Sequence, residues 1–168
     1  MKLLREKLGI TEHFYPFAER INPILYSFIS SLPNDPNHPP NVSGKMTDRH
    51  LKHKELDTLI GWIYQMLSMD FGKRDGHWNF PSNMTCEELW AVSYRKGDYI
   101  TPHSHSPFLY TFSYFVKVPK GSPPTVFPTS GHKAKAEEGK LVLFESRLVH
   151  QVPKSKVNDR CVIAGNFK

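Results

Sequence analysis

Cysteine is nearly absent: Cys86 and Cys161 are the two thiols in 168 residues. That is too few for a disulfide scaffold, and they form no Cys-x-x-Cys pair for a zinc ribbon or a thioredoxin-like motif. Long apolar runs are absent as well, which excludes a membrane-spanning helix. The segment Met1–Ile10 carries Lys2, Arg5, Glu6 and Lys7 with no apolar stretch behind them, so no signal peptide is read and a cytoplasmic protein is expected. In that setting the triplets Asn41-Val-Ser43 and Asn83-Met-Thr85 carry no weight as glycosylation sites. There is no P-loop, Gly-x-Gly-x-x-Gly, Gly-x-Ser-x-Gly or His-Glu-x-x-His. Phosphoryl transfer and redox chemistry on a nucleotide cofactor therefore find no footing.

What is present is the composition of one folded domain: 39% hydrophobic, 23% charged, with 3 Trp, 7 Tyr and 11 Phe. Fourteen Pro and 10 Gly predict many turns and short strands rather than a helical bundle. The net charge of +6 is concentrated in the C-terminal half. It suits an anionic partner, from a dicarboxylate to a nucleic acid, or a solvated lysine-rich surface.

Three textures follow along the chain. Phe17, Ile21, Ile24, Leu25 and Phe28 recur at helical spacing and predict a short amphipathic helix. The stretch Leu32–Gly44, with Pro33, Pro36, Pro39 and Pro40, reads as a surface loop. A second helix is expected with Thr47 or Asp48 as N-cap, an apolar stripe of Leu51, Leu56, Leu59/Ile60, Ile63 and Met66/Leu67, and Gly72 just past its end. From Trp78 the pattern becomes strand-like, with Glu88–Tyr94, Leu109–Val118, Thr125–Phe127, Lys140–Glu145 and Arg160–Phe167 as β segments. Two helices ahead of antiparallel strands predict an α+β, mainly β architecture, the helices packed on one face of a sandwich or barrel.

Of nine histidines, His13, His38, His50, His53 and His132 sit in contexts that read as polar surface. His103 and His105 stand two residues apart in Gly97-Asp-Tyr-Ile-Thr-Pro-His103-Ser-His105, where a strand would place both on one face, ready to share a metal. His150 ends the strand-like run from Gly139 and is bracketed by apolar residues. Ten residues on, Arg160 opens the last segment, on one face with Val162, Ala164 and Asn166. An inward arginine in a small barrel is costly unless an anion meets it, and its planar fork suits a carboxylate. Three histidines plus this arginine make a site for a metal and a carboxylate ligand.

At these residues the sequence resembles the iron(II)/2-oxoglutarate-dependent oxygenases, in their prolyl-4-hydroxylase-like branch with its small bacterial and phage members. The matching elements are Trp90…Tyr94-Arg-Lys-Gly97-Asp-Tyr99, His103-Ser-His105, Gly139-Lys-Leu-Val-Leu-Phe144, His150 and Arg160, and the closing Arg160-Cys-Val-Ile-Ala-Gly-Asn166-Phe. The likeness covers roughly residues 78–168. It implies a double-stranded β-helix (jelly roll) over 76–168, supported by a helical segment 1–75 in a single domain. It implies iron(II) held by His103, His105 and His150, and 2-oxoglutarate anchored by Arg160, with Tyr94, Tyr114 and Asn166 as candidate cosubstrate contacts. It implies hydroxylation of a substrate, with succinate and CO2 as co-products. The substrate itself is not readable: a protein side chain, a nucleobase or a metabolite would each suit, in a pocket shaped by His77–Thr85 and Ser106–Tyr110. Oligomeric state is not readable either.

One position departs from the pattern. Where the family has Asp, this chain has His105, so the 2-His-1-carboxylate triad becomes three neutral imidazoles and zinc or copper competes more readily. Neither Asp98 nor Glu145 stands in a register to replace the carboxylate. A cupin-type three-histidine enzyme without 2-oxoglutarate is the first alternative, although the cupin glutamate falls on Leu109 or Tyr110 and Arg160 has no role there. The second is a non-catalytic metal-barrel module that uses Trp78, Trp90, Phe108 and Tyr110 as a stacking surface.

Overall fold

The computed structural model describes residues 9–74, 77–78 and 83–168, with only the backbone of 73, 74, 77 and 78. Among these residues twelve strands and two helices follow in chain order: β1 (Ile10–Phe14), α1 (Ala18–Ser31), β2 (Lys45–Met46), α2 (Lys54–Phe71), β3 (Lys73–Arg74), β4 (His77–Trp78), β5 (Cys86–Tyr94), β6 (Ile100–His103), β7 (Tyr110–Lys117), β8 (Thr125–Phe127), β9 (His132–Ala134), β10 (Lys140–Glu145), β11 (His150–Val152) and β12 (Arg160–Phe167). A six-stranded sheet runs β1-β10-β7-β12-β5-β2 and a four-stranded sheet β6-β11-β8-β9, all neighbours antiparallel; β3 and β4 form a separate ribbon. Facing antiparallel sheets with helices on the outer side of the larger one make the jelly roll that the sequence implies. No helix among the described residues is long and apolar enough to cross a membrane.

Period-2 alternation divides the larger sheet into two faces. Leu89, Ala91, Phe112, Tyr114, Val116, Leu141, Leu143, Cys161, Ile163 and Phe167 point at the helices and join Ile21, Leu25, Ile29, Leu56, Leu59, Ile63 and Leu67 in one dry core. The opposite parity, with Trp90, Val92, Tyr94, Phe115, Val142, Phe144 and Val162, meets Phe127, Ala134 and Val152 of the smaller sheet. At Gly165 the backbone approach is so close that a Cβ would stand 2.6 Å from the Phe112 ring and 2.8 Å from the Glu88 carbonyl, so only glycine fits.

Several local expectations are corrected. In α1 the buried stripe is Ile21, Leu25 and Ile29, a clean i, i+4 series, while Phe17 and Ile24 face solvent. Helix α2 starts at Lys54, with His53 rather than Thr47 or Asp48 as N-cap: its Nδ1 accepts from the Glu55 N–H at 3.2 Å. The helix cannot start earlier because residues 47–51 are strapped along β5 by Thr47 N–H to Ala91 O, Leu89 N–H to Arg49 O and Leu51 N–H to Leu89 O. The N-terminal segment is not purely helical either, since β1 and β2 cap both edges of the six-stranded sheet. Trp78 as a stacking residue and the loop His77–Thr85 fall largely outside the described residues.

Candidate metal and carboxylate site

Three histidines reach the space between the sheets from three different pieces of backbone. His103 closes β6 and pairs directly with His150, which opens β11. His105 is not on the strand, as its spacing suggested. The strand ends at His103, and two residues on the His105 N–H donates to Ser146 O at 2.8 Å. Nor does His150 end the preceding strand: β10 stops at Glu145, a turn closes with Leu148 N–H to Glu145 O, and the chain crosses to the other sheet at His150. The corners still bring all three imidazoles together, with ring centroids 4.3–5.1 Å apart and one nitrogen from each within 4.8 Å of the others.

The surroundings keep these rings neutral. Burial pulls the His150 pKa down to about 4, helped by neighbouring His103, with only the Leu148 carbonyl opposing. Burial also lowers His105, to about 2, with repulsion from His150, His103 and Arg49 added, and it lowers His103. A neutral imidazole carries one nitrogen lone pair, the form that binds a metal. For His103 and His150 the tautomer follows from geometry. His103 Nδ1 lies 2.9 Å from Thr101 O and His150 Nδ1 3.1 Å from Leu148 O, so Nδ1 is the protonated nitrogen and Nε2 keeps the lone pair. Phe144 stands edge-on to His150 at 4.7 Å and Trp90 lies 5.6 Å from His105, which walls the cluster with aromatic rings. Preformed and desolvated, two of them oriented by backbone carbonyls, the three donors fit a divalent transition metal.

The floor of the cavity is the polar parity of β5, β12 and β7, read in cross-strand rows. Tyr94 faces Arg160, Val92 faces Val162, Trp90 faces Ala164 beside Ser113, and Glu88 faces Asn166 beside Thr111. The cavity holds about 320 Å³ and is lined by the three histidines and by side chains from every row. Arg160 is 1% exposed, and its Nε and Nη1 have no hydrogen-bond partner among the described residues. Its guanidinium carbon lies 4.3 Å from the Tyr94 ring centroid and 5.4 Å from that of Phe115. Burial raises the Tyr94 hydroxyl pKa, and the Arg160 charge works against that rise. A buried cation with two orphaned donors is expensive unless an anion completes it, so this end of the floor fits a carboxylate.

Of the expected cosubstrate contacts, Tyr94 stands beside Arg160 and Tyr114 does not. Tyr114 has the helix-side parity: its hydroxyl donates to Asn22 Oδ1 at 2.7 Å and its ring meets Tyr15, while its neighbour Ser113 lines the cavity. Asn166 shares the Arg160 face but lies six residues further along the strand, about 20 Å at the usual rise. There its amide donates to Glu88 Oε2 at 2.7 Å, lies 3.5 Å from His105 Nδ1, and accepts from Thr111 Oγ1 at 2.9 Å. Asn166 thus belongs to the histidine end. Of the proposed stacking aromatics, Trp90 is buried in the cavity wall, Phe108 lines the cavity, and Tyr110 packs on Phe71.

Sequence reasoning passed over Arg49, Glu88 and Thr125, which also line the cavity. Glu88 was recoverable, because it shares the parity of Trp90, Val92 and Tyr94. Arg49 was not, because it reaches the site only through the strap along β5.

No protein-family model and no curated protein matches the sequence. Solved structures do match the fold. The viral collagen prolyl hydroxylase of Paramecium bursaria chlorella virus 1, as its 2-oxoglutarate complex, superposes with a TM-score of 0.74 at 16% identity over 95% of each chain. A Pseudomonas putida prolyl-4-hydroxylase gives 0.69 at 16% identity over 96% of this chain and 93% of its own. HygX from Streptomyces hygroscopicus, with nickel and 2-oxoglutarate bound, gives 0.65 at 10% over 95% of this chain and 82% of its own. The chain therefore has the fold of the 2-oxoglutarate/iron(II) oxygenases.

Proposed function

We propose that the chain is an iron(II)/2-oxoglutarate-dependent dioxygenase that hydroxylates an organic substrate. The observation that carries the reading is the buried Arg160, whose Nε and Nη1 are unpartnered in the cavity that also holds the three-histidine cluster. His103, His105 and His150 would hold the iron, and Arg160 would take the distal carboxylate of 2-oxoglutarate. Bound there, the pair supplies oxidative decarboxylation of the cosubstrate to succinate and CO2, coupled to insertion of one oxygen atom from O2 into a C–H bond.

The chain's own contributions are orientation and exclusion. The Thr101 and Leu148 carbonyls fix which nitrogen His103 and His150 present. Tyr94 and Phe115 hold the guanidinium between two ring faces, so its free N–H groups are preorganised before any anion arrives. Phe127, Phe144 and Trp90 keep the histidines from water and from protonation. The third imidazole in place of a carboxylate leaves the metal's charge to be balanced by the cosubstrate dianion, which favours binding of the two together. A cupin-type enzyme using the same three histidines would leave Arg160 unexplained.

The test is release of CO2 from 2-oxoglutarate labelled at C1, by iron-loaded protein under oxygen. Slow release without added substrate, absent in the metal-free protein, supports the proposal. No release at any iron or cosubstrate concentration counts against it.

A further inference from the structure

The floor of the cavity has two polar ends. Arg160 and Tyr94 form one; Glu88, Arg49, Asn166 and Thr111 form the other, about 20 Å away by strand rise. Between them lie apolar or small residues, Val92, Val162, Trp90 and Ala164. A five-carbon dianion that runs from Arg160 to the histidines leaves the Glu88 and Arg49 side chains unengaged, and they form a second subsite on the His105 side of the cavity.

Its chemistry is that of a fixed charge pair. Arg49 Nη1 donates to Glu88 Oε1 at 3.0 Å, and the guanidinium carbon stands 5.7 Å from the Trp90 ring centroid. The backbone under both residues is fastened by the Leu89 N–H bond to Arg49 O. Glu88 is oriented from the other side by the Asn166 amide on Oε2. Neither group is spent: a guanidinium has five N–H groups, and each carboxylate oxygen has a second lone pair. The side chains are 40% and 20% exposed, open to a ligand in the cavity. Among the described residues that line it, Glu88 is the one acidic side chain.

From this we infer that the second subsite binds a free α-amino acid, its carboxylate on Arg49 and its ammonium on Glu88, with its side chain directed over Trp90 and Ala164 toward the histidines. The inference rests on the oxygenase reading above. The adjacent positive and negative groups of a zwitterion match the adjacent groups of the ion pair in alternation. A dicarboxylate would face Glu88 with like charge. An internal peptide segment would strip water from the ion pair and return no charge in exchange. The room left is that of a small molecule rather than of a wide groove.

The experiment is anaerobic calorimetry on protein loaded with iron(II) and 2-oxoglutarate, titrated with each of the 20 common L-α-amino acids. Every binder is retitrated as its N-acetyl and carboxamide derivatives. At least one free amino acid is expected to bind, and each blocked form about tenfold or more weaker. Glu88→Gln keeps the side-chain shape and one acceptor oxygen but removes the charge. It should weaken the free amino acid and leave the N-acetyl form unchanged. If 2-oxoglutarate binds normally but no free amino acid does, or if the blocked forms bind as tightly, the subsite assignment is overturned and the oxygenase reading stands. If 2-oxoglutarate itself fails to bind, the oxygenase reading has failed and the assignment falls with it.

Discussion

The two faces of the six-stranded sheet are made by the same strands and differ in almost everything else. On β12, Cys161, Ile163 and Phe167 enter the dry core beneath the helices, while Arg160, Val162, Ala164 and Asn166 line the cavity. On β7, Phe112, Tyr114 and Val116 take the first role, and Thr111 and Ser113 the second. The helix face buries apolar side chains, and its polar contacts, Tyr114 to Asn22 and Thr11 and His13 to Asp70, are satisfied internally. The cavity face buries a cation with two orphaned donors and three histidines held neutral. Both faces bury apolar clusters that stabilise the fold; the cavity face also holds polar groups at a cost that a ligand offsets.

The largest contrast is expected between His150→Ala and Leu143→Ala, both buried. His150→Ala should abolish metal binding, read by calorimetry with zinc or iron(II), with a small change in thermal stability. Leu143→Ala should cost about 2–5 kcal/mol in denaturant unfolding and leave metal affinity intact once folded. Metal binding retained in His150→Ala would remove the cluster from the account.

Next in size is Arg160→Met, which replaces a buried charge by a side chain of similar length. Affinity for 2-oxoglutarate should fall by about a hundredfold or more, metal affinity should hold, and the melting temperature should stay or rise. A large drop in stability with unchanged cosubstrate affinity would move Arg160 to the structural side of the comparison.

Acid separates the faces in a third way. A free histidine titrates near 6.5, and native His150 is held down to about 4. Between those values the unfolded chain binds a proton that the native chain refuses. The stability contributed by the neutral ring is therefore whole above about pH 6.5 and is lost as pH falls toward 4, at about 1.4 kcal/mol per pH unit for each such proton. Urea unfolding of the metal-free protein at pH 7 and pH 5 should show that loss, and His150→Ala should reduce it. The smallest effect is expected for Tyr114→Phe: about 1 kcal/mol of stability from the lost bond to Asn22, with 2-oxoglutarate affinity unchanged.

Much of this was legible where the signal is local. Strand identities followed from β-branched and aromatic runs, and the parity of β12 placed Arg160 on the face it occupies, because a two-residue period survives folding. The meeting of His103, His105 and His150 was legible too, but by a different route from the one the chain takes: His105 stands beyond the end of β6, and His150 opens a strand of the other sheet rather than ending β10. Corners are set by hydrogen bonds between distant segments, such as His105 to Ser146, which no spacing reveals. The same limit explains Tyr114, whose face depends on where β7 enters the sheet, and Arg49, which reaches the cavity because residues 47–51 lie along β5. That His105 stands where the resemblance expects an acidic residue was plain from the sequence, whereas its contact with Asn166 required the fold.

The most direct measurement is anaerobic titration of the iron(II)-loaded protein with 2-oxoglutarate, followed by visible absorption. The account predicts a weak charge-transfer band that grows to one equivalent of cosubstrate and disappears when oxygen is admitted. Tight iron binding with no band at saturating 2-oxoglutarate would contradict it.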